Sequence, residues 1–250
     1  MKKFIITRLG LDFPNKKGIG VHAESDPDYI LNIVQDMLNF TYHSVRNQTA
    51  KDITWVFYTG RRFKHEMKEV IEDTILDIPV EFISEMEYKN QRKPWDAQSP
   101  TMVFRLDADD YMHPALIEKI ESNLLAKWNG DNIVISNPIK GYKLYPDQSL
   151  TEFEAPHIAL GLGVLSGCGA IPMHDHTKLP ERFKELFPTK EVIVNNLDTD
   201  ERLYLYRRHE NAHSFCYDKN YEEITKVHNS LDILEEFGVL NTRYWERNRK

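Results

Sequence analysis

Short apolar runs alternate with amphipathic stretches through the first half of the chain, and this alternation constrains the fold more than any other feature. Residues 4–6 (FII), 53–58 (ITWVFY), 79–84, 102–106 and 132–136 (NIVIS) are brief, bounded by polar or turn-forming residues, and rich in β-branched or aromatic side chains, so each reads as a buried strand. Between them the apolar residues fall at helical spacing. Ile30, Ile33, Val34, Met37, Leu38 and Val45 follow the Asp26-Pro27 start signal, while Phe63, Met67, Val70, Ile71 and Ile75 line one side of a charged stretch. Leu116, Ile117, Ile120, Leu124 and Trp128 mark a third helix, with Pro114 suited to its first turn. Strands separated by helices predict an α/β fold with a mostly parallel sheet flanked by helices, because parallel neighbours need a crossover connection.

After Pro138 the pattern changes. GYKLY, PDQS and LTEFE predict a β-hairpin turning at residues 146–149. The following IALGLGVLSGCGAIP is apolar and carries Gly161, Gly163, Gly167 and Gly169. It lacks the Gly-Lys-Ser/Thr of a phosphate loop and opens no charged helix, so it reads as close-packed backbone beside a pocket. A short helix near 182–187, a strand at 192–194 and a closing helix around 231–237 complete an α+β second half. The expectation is one continuous domain over 1–250, with a seam near 138.

Composition excludes several classes. Thirty-nine acidic against 32 basic residues give a formal charge of −7, which argues against a dedicated duplex-binding protein. A local groove lined by Arg61, Arg62, Lys64 and Lys68 is the one feature that would override this. A chain of 250 residues needs no covalent staple, and its two cysteines, Cys168 and Cys216, are expected as buried free thiols. The opening MKKFIIT turns polar too early for a signal segment and no run approaches ~20 apolar residues, so the expectation is a cytoplasmic protein with no transmembrane segment.

The segment richest in chemistry is 101–114, TMVFRLDADDYMHP, where a buried strand runs directly into Asp107, Asp109 and Asp110. If the chain stays extended, Asp107 and Asp109 project from one face and Asp110 from the other. Open α/β sheets bind ligands at the C-terminal ends of their strands. Clustered carboxylates there repel one another, and a hard divalent cation relieves the repulsion while leaving room for water and a substrate diphosphate. The alternatives are a helix cap, a haloacid-dehalogenase-like phosphatase, whose strand followed by Asp-x-Asp usually lies near the chain start and continues with Thr or Val where this chain has Tyr111, and a non-catalytic binding module. A calcium loop of the EF-hand kind is excluded, since its central Gly and final Glu are missing.

The run RLDADDYMHPALIEKI resembles the metal-binding Asp-x-Asp segment of GT-A-fold glycosyltransferases, and is most similar to a rhamnosyltransferase family whose members carry Arg-Leu-Asp-x-Asp-Asp. The opening IITRL, the segment RNQTAKDITWVFYTG and the late RRHENAHS are similar to other parts of that family, so the resemblance spans about 4–214. It implies transfer of a sugar from a nucleotide-diphosphate donor with Mn²⁺ or Mg²⁺, the first half (about 1–138) binding the nucleotide and the second (about 139–250) shaping the acceptor site. Rhamnose itself does not follow from it. Carried across, Asp107 meets the ribose or the metal, Asp109 ligates the metal, and Asp110 binds it through water or holds the loop. Arg8 and Arg105 face the nucleotide or diphosphate, or serve as a loop charge and an ion-pair partner respectively. His209 completes the metal site or packs beside Tyr206 or Phe215. Arg207 and Arg208 offset diphosphate charge or are solvated. The acceptor is a glycan, a lipid-linked sugar, a protein or a modified nucleic-acid base.

Two further features rest on residue type alone. His174-Asp175-His176 has no third ligand in sequence and reads as loop structure rather than a zinc pair. An inverting transferase needs a carboxylate base at the acceptor hydroxyl, and of Asp198, Asp200 and Glu201, which precede a strand, Asp200 is the candidate.

Overall fold

The computed structural model describes residues 1–9, 27–60, 63–84, 87, 99–155, 158–172, 176–207 and 230–241. Its larger sheet contains β1 (Lys2–Leu9), β2 (Ile53–Thr59), β3 (Val80–Ser84), β4 (Thr101–Arg105), β6 (Ile133–Ser136), β9 (Gly163–Ser166) and β10 (Val192–Val194). The strands lie in the order β10-β6-β9-β4-β1-β2-β3. All run parallel except β9, which is antiparallel to both β4 and β6. This is the mostly parallel α/β sheet that the alternating pattern predicts. The central strands are buried on both faces, which is why their sequences are continuous apolar runs rather than two-residue alternations.

Helices cover those faces. On one side Ile5, Trp55, Phe57, Met102 and Phe104 pack with Val34 and Met37 of α1 (Pro27–Asn39), Met67 and Ile71 of α3 (His65–Thr74), and Ile117 and Ile120 of α4 (Leu116–Leu125). On the other, Phe4, Ile6, Val56, Tyr58 and Val103 form a second cluster, and Ile133, Ile135 and Val164 pack against Leu179 and Phe183 of α5 (Leu179–Leu186). Full burial of each such side chain contributes roughly 1.5–3 kcal/mol.

A smaller sheet joins β5 (Tyr111–Met112), β7 (Lys140–Leu144), β8 (Leu150–Glu154) and β11 (Tyr204–Arg207) in the order β5-β11-β7-β8. β7 and β8 form the predicted hairpin, with Gln148 at φ 65 in its turn. One face of this sheet packs Leu144, Leu150 and Leu205 against Phe40, Tyr111, and Leu234 of α6 (Ser230–Glu236). Strands from beyond position 138 therefore enter both sheets.

Five local expectations are corrected. The helix predicted through Val45 breaks at Phe40 (φ −129, ψ −70) into α1 and α2 (Thr41–Arg46), because the Phe40 ring turns into the core beside Tyr111, with centroids 5.0 Å apart. Val70 on α3 is 39% exposed, not inward, and α4 starts at Leu116, so Pro114 precedes it. The glycine-rich segment contains β9, whose Gly163 lets α4 approach: an added Cβ would lie 2.5 Å from Ile120 Cγ2. Cys168 is half-buried rather than buried, and Cys216 lies outside the described residues. No helix among the described residues is long and apolar enough to cross a membrane.

Candidate functional site

The acidic segment sits where β4 leaves the sheet. The Leu106 amide donates to the Ile6 carbonyl of β1, and the Thr7 hydroxyl donates to the Leu106 carbonyl at 2.8 Å, so the chain remains clamped for one residue beyond the strand. Trp55 Nε1 in turn donates to the Thr7 hydroxyl. The Asp110 amide then bonds the Asp107 carbonyl at 3.3 Å, closing a four-residue turn. Thus the three carboxylates occupy a turn, not an extended strand, and the alternation argument does not govern them. Asp107 and Asp109 are both part-exposed, whereas Asp110 is 2% exposed, its side chain directed inward. The Thr41 hydroxyl at the start of α2 donates to the Ala108 carbonyl at 2.8 Å and pins the turn from another side.

Two arginines converge on Asp107. Arg105, 4% exposed at the end of β4, brings Nε to 3.3 Å from Asp107 Oδ1, and Arg8 of β1 brings Nη2 to 3.6 Å from the same oxygen. The register explains the meeting: Ile6 pairs with Arg105, so Arg8 lies across from the residue at which β4 has become the turn. Burial pushes the Asp107 carboxyl up, but the Arg105 and Arg8 guanidiniums outweigh it and hold the group down at about 2. His176, at the start of a single 3₁₀ turn (His176–Lys178), lies close enough to add to this lowering.

Asp110 responds in the opposite sense. Burial, and then the charges of Asp109 and Asp107, raise its carboxyl well above the usual range, and the Arg207 main-chain amide that donates to its Oδ1 at 3.3 Å offsets only part of this. The turn therefore combines one carboxylate committed to two arginines with a second, part-exposed carboxylate and a third that resists ionisation beside them.

The structure thus brings together Arg8, Arg105, Asp107 and Asp109, four of the residues singled out from the sequence. His209 lies outside the described residues, as do His174, Asp175, Arg61, Arg62 and Arg208. Among the described residues no three His, Cys, Asp or Glu side chains form a ready metal-binding group. Asp200 stands fully exposed on the 195–203 loop, 3.1 Å from Lys140 Nζ. It follows Thr199, which with Leu197 walls an open cleft of about 570 Å³ against Glu118, Lys119, Ser122 and Asn123 of α4. Of the expected basic groove, Lys68 pairs with Glu72 at 3.6 Å and lies over the Phe82 ring.

Sequence reasoning missed Thr41 and Asp36, which carry no local signal, and it placed His176 in a loop without a link to Asp107. Arg207 was expected to face phosphate or solvent, but it is 2% exposed, sharing by parity the inward face of β11 with Leu205. Its Nη2 bonds Asp36 Oδ2 of α1 at 2.9 Å, and its guanidinium lies 5.0 Å from the Phe40 ring centroid.

No protein-family model matches the chain, and no curated protein matches it in sequence. Solved structures give weak likenesses. TarS 1-349 from S. aureus has a TM-score of 0.47 at 7% identity, over 83% of this chain and 60% of that one. TarS 1-349 in complex with UDP has a TM-score of 0.43 at 8% identity, over 99% and 68%. The 4-diphosphocytidyl-2C-methyl-D-erythritol synthase of Anaerococcus prevotii DSM 20548 has a TM-score of 0.39 at 14% identity, over 96% of each chain. This chain thus spans 60% of the length of TarS 1-349. At similarities this low, the functional case rests on the residues of this chain.

Proposed function

We propose that this protein is a metal-dependent glycosyltransferase that moves a sugar from a nucleotide-diphosphate donor to an acceptor hydroxyl. The observation that supports the reading is the pairing, at one strand end, of a carboxylate turn with two converging guanidiniums. A nucleoside diphosphate with its cation needs both signs of charge at one place: cationic groups for phosphate oxygens and carboxylates for the metal. The rhamnosyltransferase-like Arg-Leu-Asp-x-Asp-Asp run supports the choice of transferase and leaves the sugar unnamed.

The donor set fits a hard cation. Asp107 has its charge offset by Arg105 and Arg8, so it suits the ribose and the orientation of those arginines. Asp109, part-exposed, and Asp110, whose ionisation burial and then its neighbours oppose, are the carboxylates that a divalent ion, Mn²⁺ or Mg²⁺, would draw together. Asp109 would be the main ligand, Asp110 would act directly or through water, and His209 would complete the set. Such an ion, when bound, offsets the charge that grows on the departing diphosphate. Arg8, 24% exposed, can reach a phosphate oxygen, and Arg105 stiffens the turn from beneath. Asp200, exposed beside Lys140, would take the proton of the attacking acceptor hydroxyl.

The test is to incubate the protein with a panel of nucleotide sugars in Mn²⁺ or EDTA and to identify the released product. Metal-dependent release of nucleoside diphosphate supports the reading. Release of inorganic phosphate alone would make it a phosphatase, and binding without turnover in any panel member would make it a binding module.

A further inference from the structure

We propose that Arg207 is a positioning residue for the acidic turn, acting as a buried clamp that ties the turn to α1 through Asp36. The inference rests on the metal-site reading above for its functional consequence and on geometry for its substance. Arg207 joins elements distant in sequence: its main-chain amide donates to Asp110 Oδ1, 97 residues away, and its guanidinium bonds Asp36, 171 residues away. Almost no water reaches the side chain, which is 2% exposed, and the Phe40 ring lies beneath it at 5.0 Å. Phe40 is the residue at which the predicted long helix breaks, and Thr41, immediately after it, holds the Ala108 carbonyl of the same turn. One junction therefore fixes the turn at both Ala108 and Asp110. A guanidinium held by Asp36 and packed on the Phe40 ring fixes the position of its own main chain, and that main chain holds Asp110.

Residues that orient a metal ligand without touching the metal commonly change its affinity by about 10–100-fold when altered. Asp36, with a side chain 49% exposed, offers a mild way to test this without emptying the core. The experiment measures Mn²⁺ binding by electron paramagnetic resonance for wild type, Asp36→Asn, Asp36→Glu and Arg207→Lys, with melting recorded in EDTA. A positioning role predicts that Asp36→Asn and Arg207→Lys bind Mn²⁺ at least about tenfold more weakly while still folded at the measuring temperature. Asp36→Glu, which can restore the pair, stays near wild type. A merely structural role predicts lower melting temperatures with Mn²⁺ affinity within twofold of wild type, and that result overturns the proposal. If wild type itself binds no Mn²⁺, the metal reading fails, and the clamp is then judged by a melting cycle of Asp36→Asn with Asp110→Asn. Shifts that add would overturn the clamp, and a double variant that departs from the sum supports it.

Discussion

Replacing Asp107 by Asn isolates the electrostatics of the strand end, because the side chain keeps its shape and loses only its charge. The wild-type carboxyl is held at about 2 against an ordinary 3.8, with burial opposing and Arg105 and Arg8 prevailing. That difference corresponds to about 2 kcal/mol by linkage. The side chain is 31% exposed, so screening by solvent reduces the figure to ~1–2 kcal/mol. For a chain of this size the variant should melt about 2–8 °C lower at pH 7. The sign follows from the depressed carboxyl: its contribution is present above the unfolded value near 3.8 and is lost as pH falls toward 2. Wild type and Asp107→Asn should thus differ fully at pH 7 and nearly so at pH 5, less at pH 3.5, and by roughly a third of the full gap at pH 2.5. Urea unfolding followed by tryptophan fluorescence at those four values measures the gap directly. A gap unchanged between pH 7 and 2.5, or no gap at pH 7, would refute the argument that paired charge holds Asp107 in place.

The other expected outcomes concern the neighbouring acids and the packing beneath them. Asp109→Asn removes a charge that opposes ionisation of Asp110, so the metal-free protein should gain ~1 kcal/mol while losing most of its stabilisation by Mn²⁺; melting in EDTA and then in Mn²⁺ checks both, and equal metal stabilisation of the two proteins would remove Asp109 from the ligand set. Asp200→Asn should leave donor affinity intact and lower turnover about 10²–10⁴-fold; steady-state rates at wild-type level would exclude it as the base. Gly163→Ala places a Cβ 2.5 Å from Ile120 Cγ2 and 3.3 Å from Phe104 Cδ1, so it should cost about 1–3 kcal/mol in denaturant melts; an unchanged midpoint would mean that α4 can retreat freely.

The elements legible in the sequence were those whose cause is local. β1, β2, β4 and β6 are buried on both faces, so each shows as a bounded apolar run, and the β7–β8 hairpin shows through its Pro-Asp turn. β9 was hidden because its glycine serves contact with α4 rather than strand propensity, and β5 because two residues carry no period. The break at Phe40 was hidden because the apolar spacing of α1 continues through Val45 and the signal for the break is a ring packed at a tilt against Tyr111 of a distant strand. At the site, residue types point to Arg8, Arg105, Asp107 and Asp109, while the geometry of the acids differs from the extended-chain expectation. Extended-chain parity assumes that β4 continues through the acids, whereas the bond from the Asp110 amide to the Asp107 carbonyl ends it. Arg207 and Asp36 lie 171 residues apart, beyond the reach of any local pattern.

Why the turn tolerates its own repulsion follows from these bonds. Three acids within four positions would spread apart in a free loop, since each gains more from water than from its neighbours. Here the main chain cannot spread. Thr7 on β1 holds Leu106, Thr41 on α2 holds Ala108, and the Arg207 amide on β11 holds Asp110, so the segment is fixed from three elements of separate origin. The repulsion is therefore carried by the core packing beneath those elements rather than relieved by local motion, and it adds to burial in raising the carboxyl of Asp110. Arg105 and Arg8 both approach Asp107 Oδ1, so the two guanidiniums gather at one end of the turn. A turn designed merely to cap α4 would need none of this, because one Asp or Asn with a free main chain does that work. The restraint from three sides is what a preorganised ligand site requires, since a partner that binds there need not first gather its ligands.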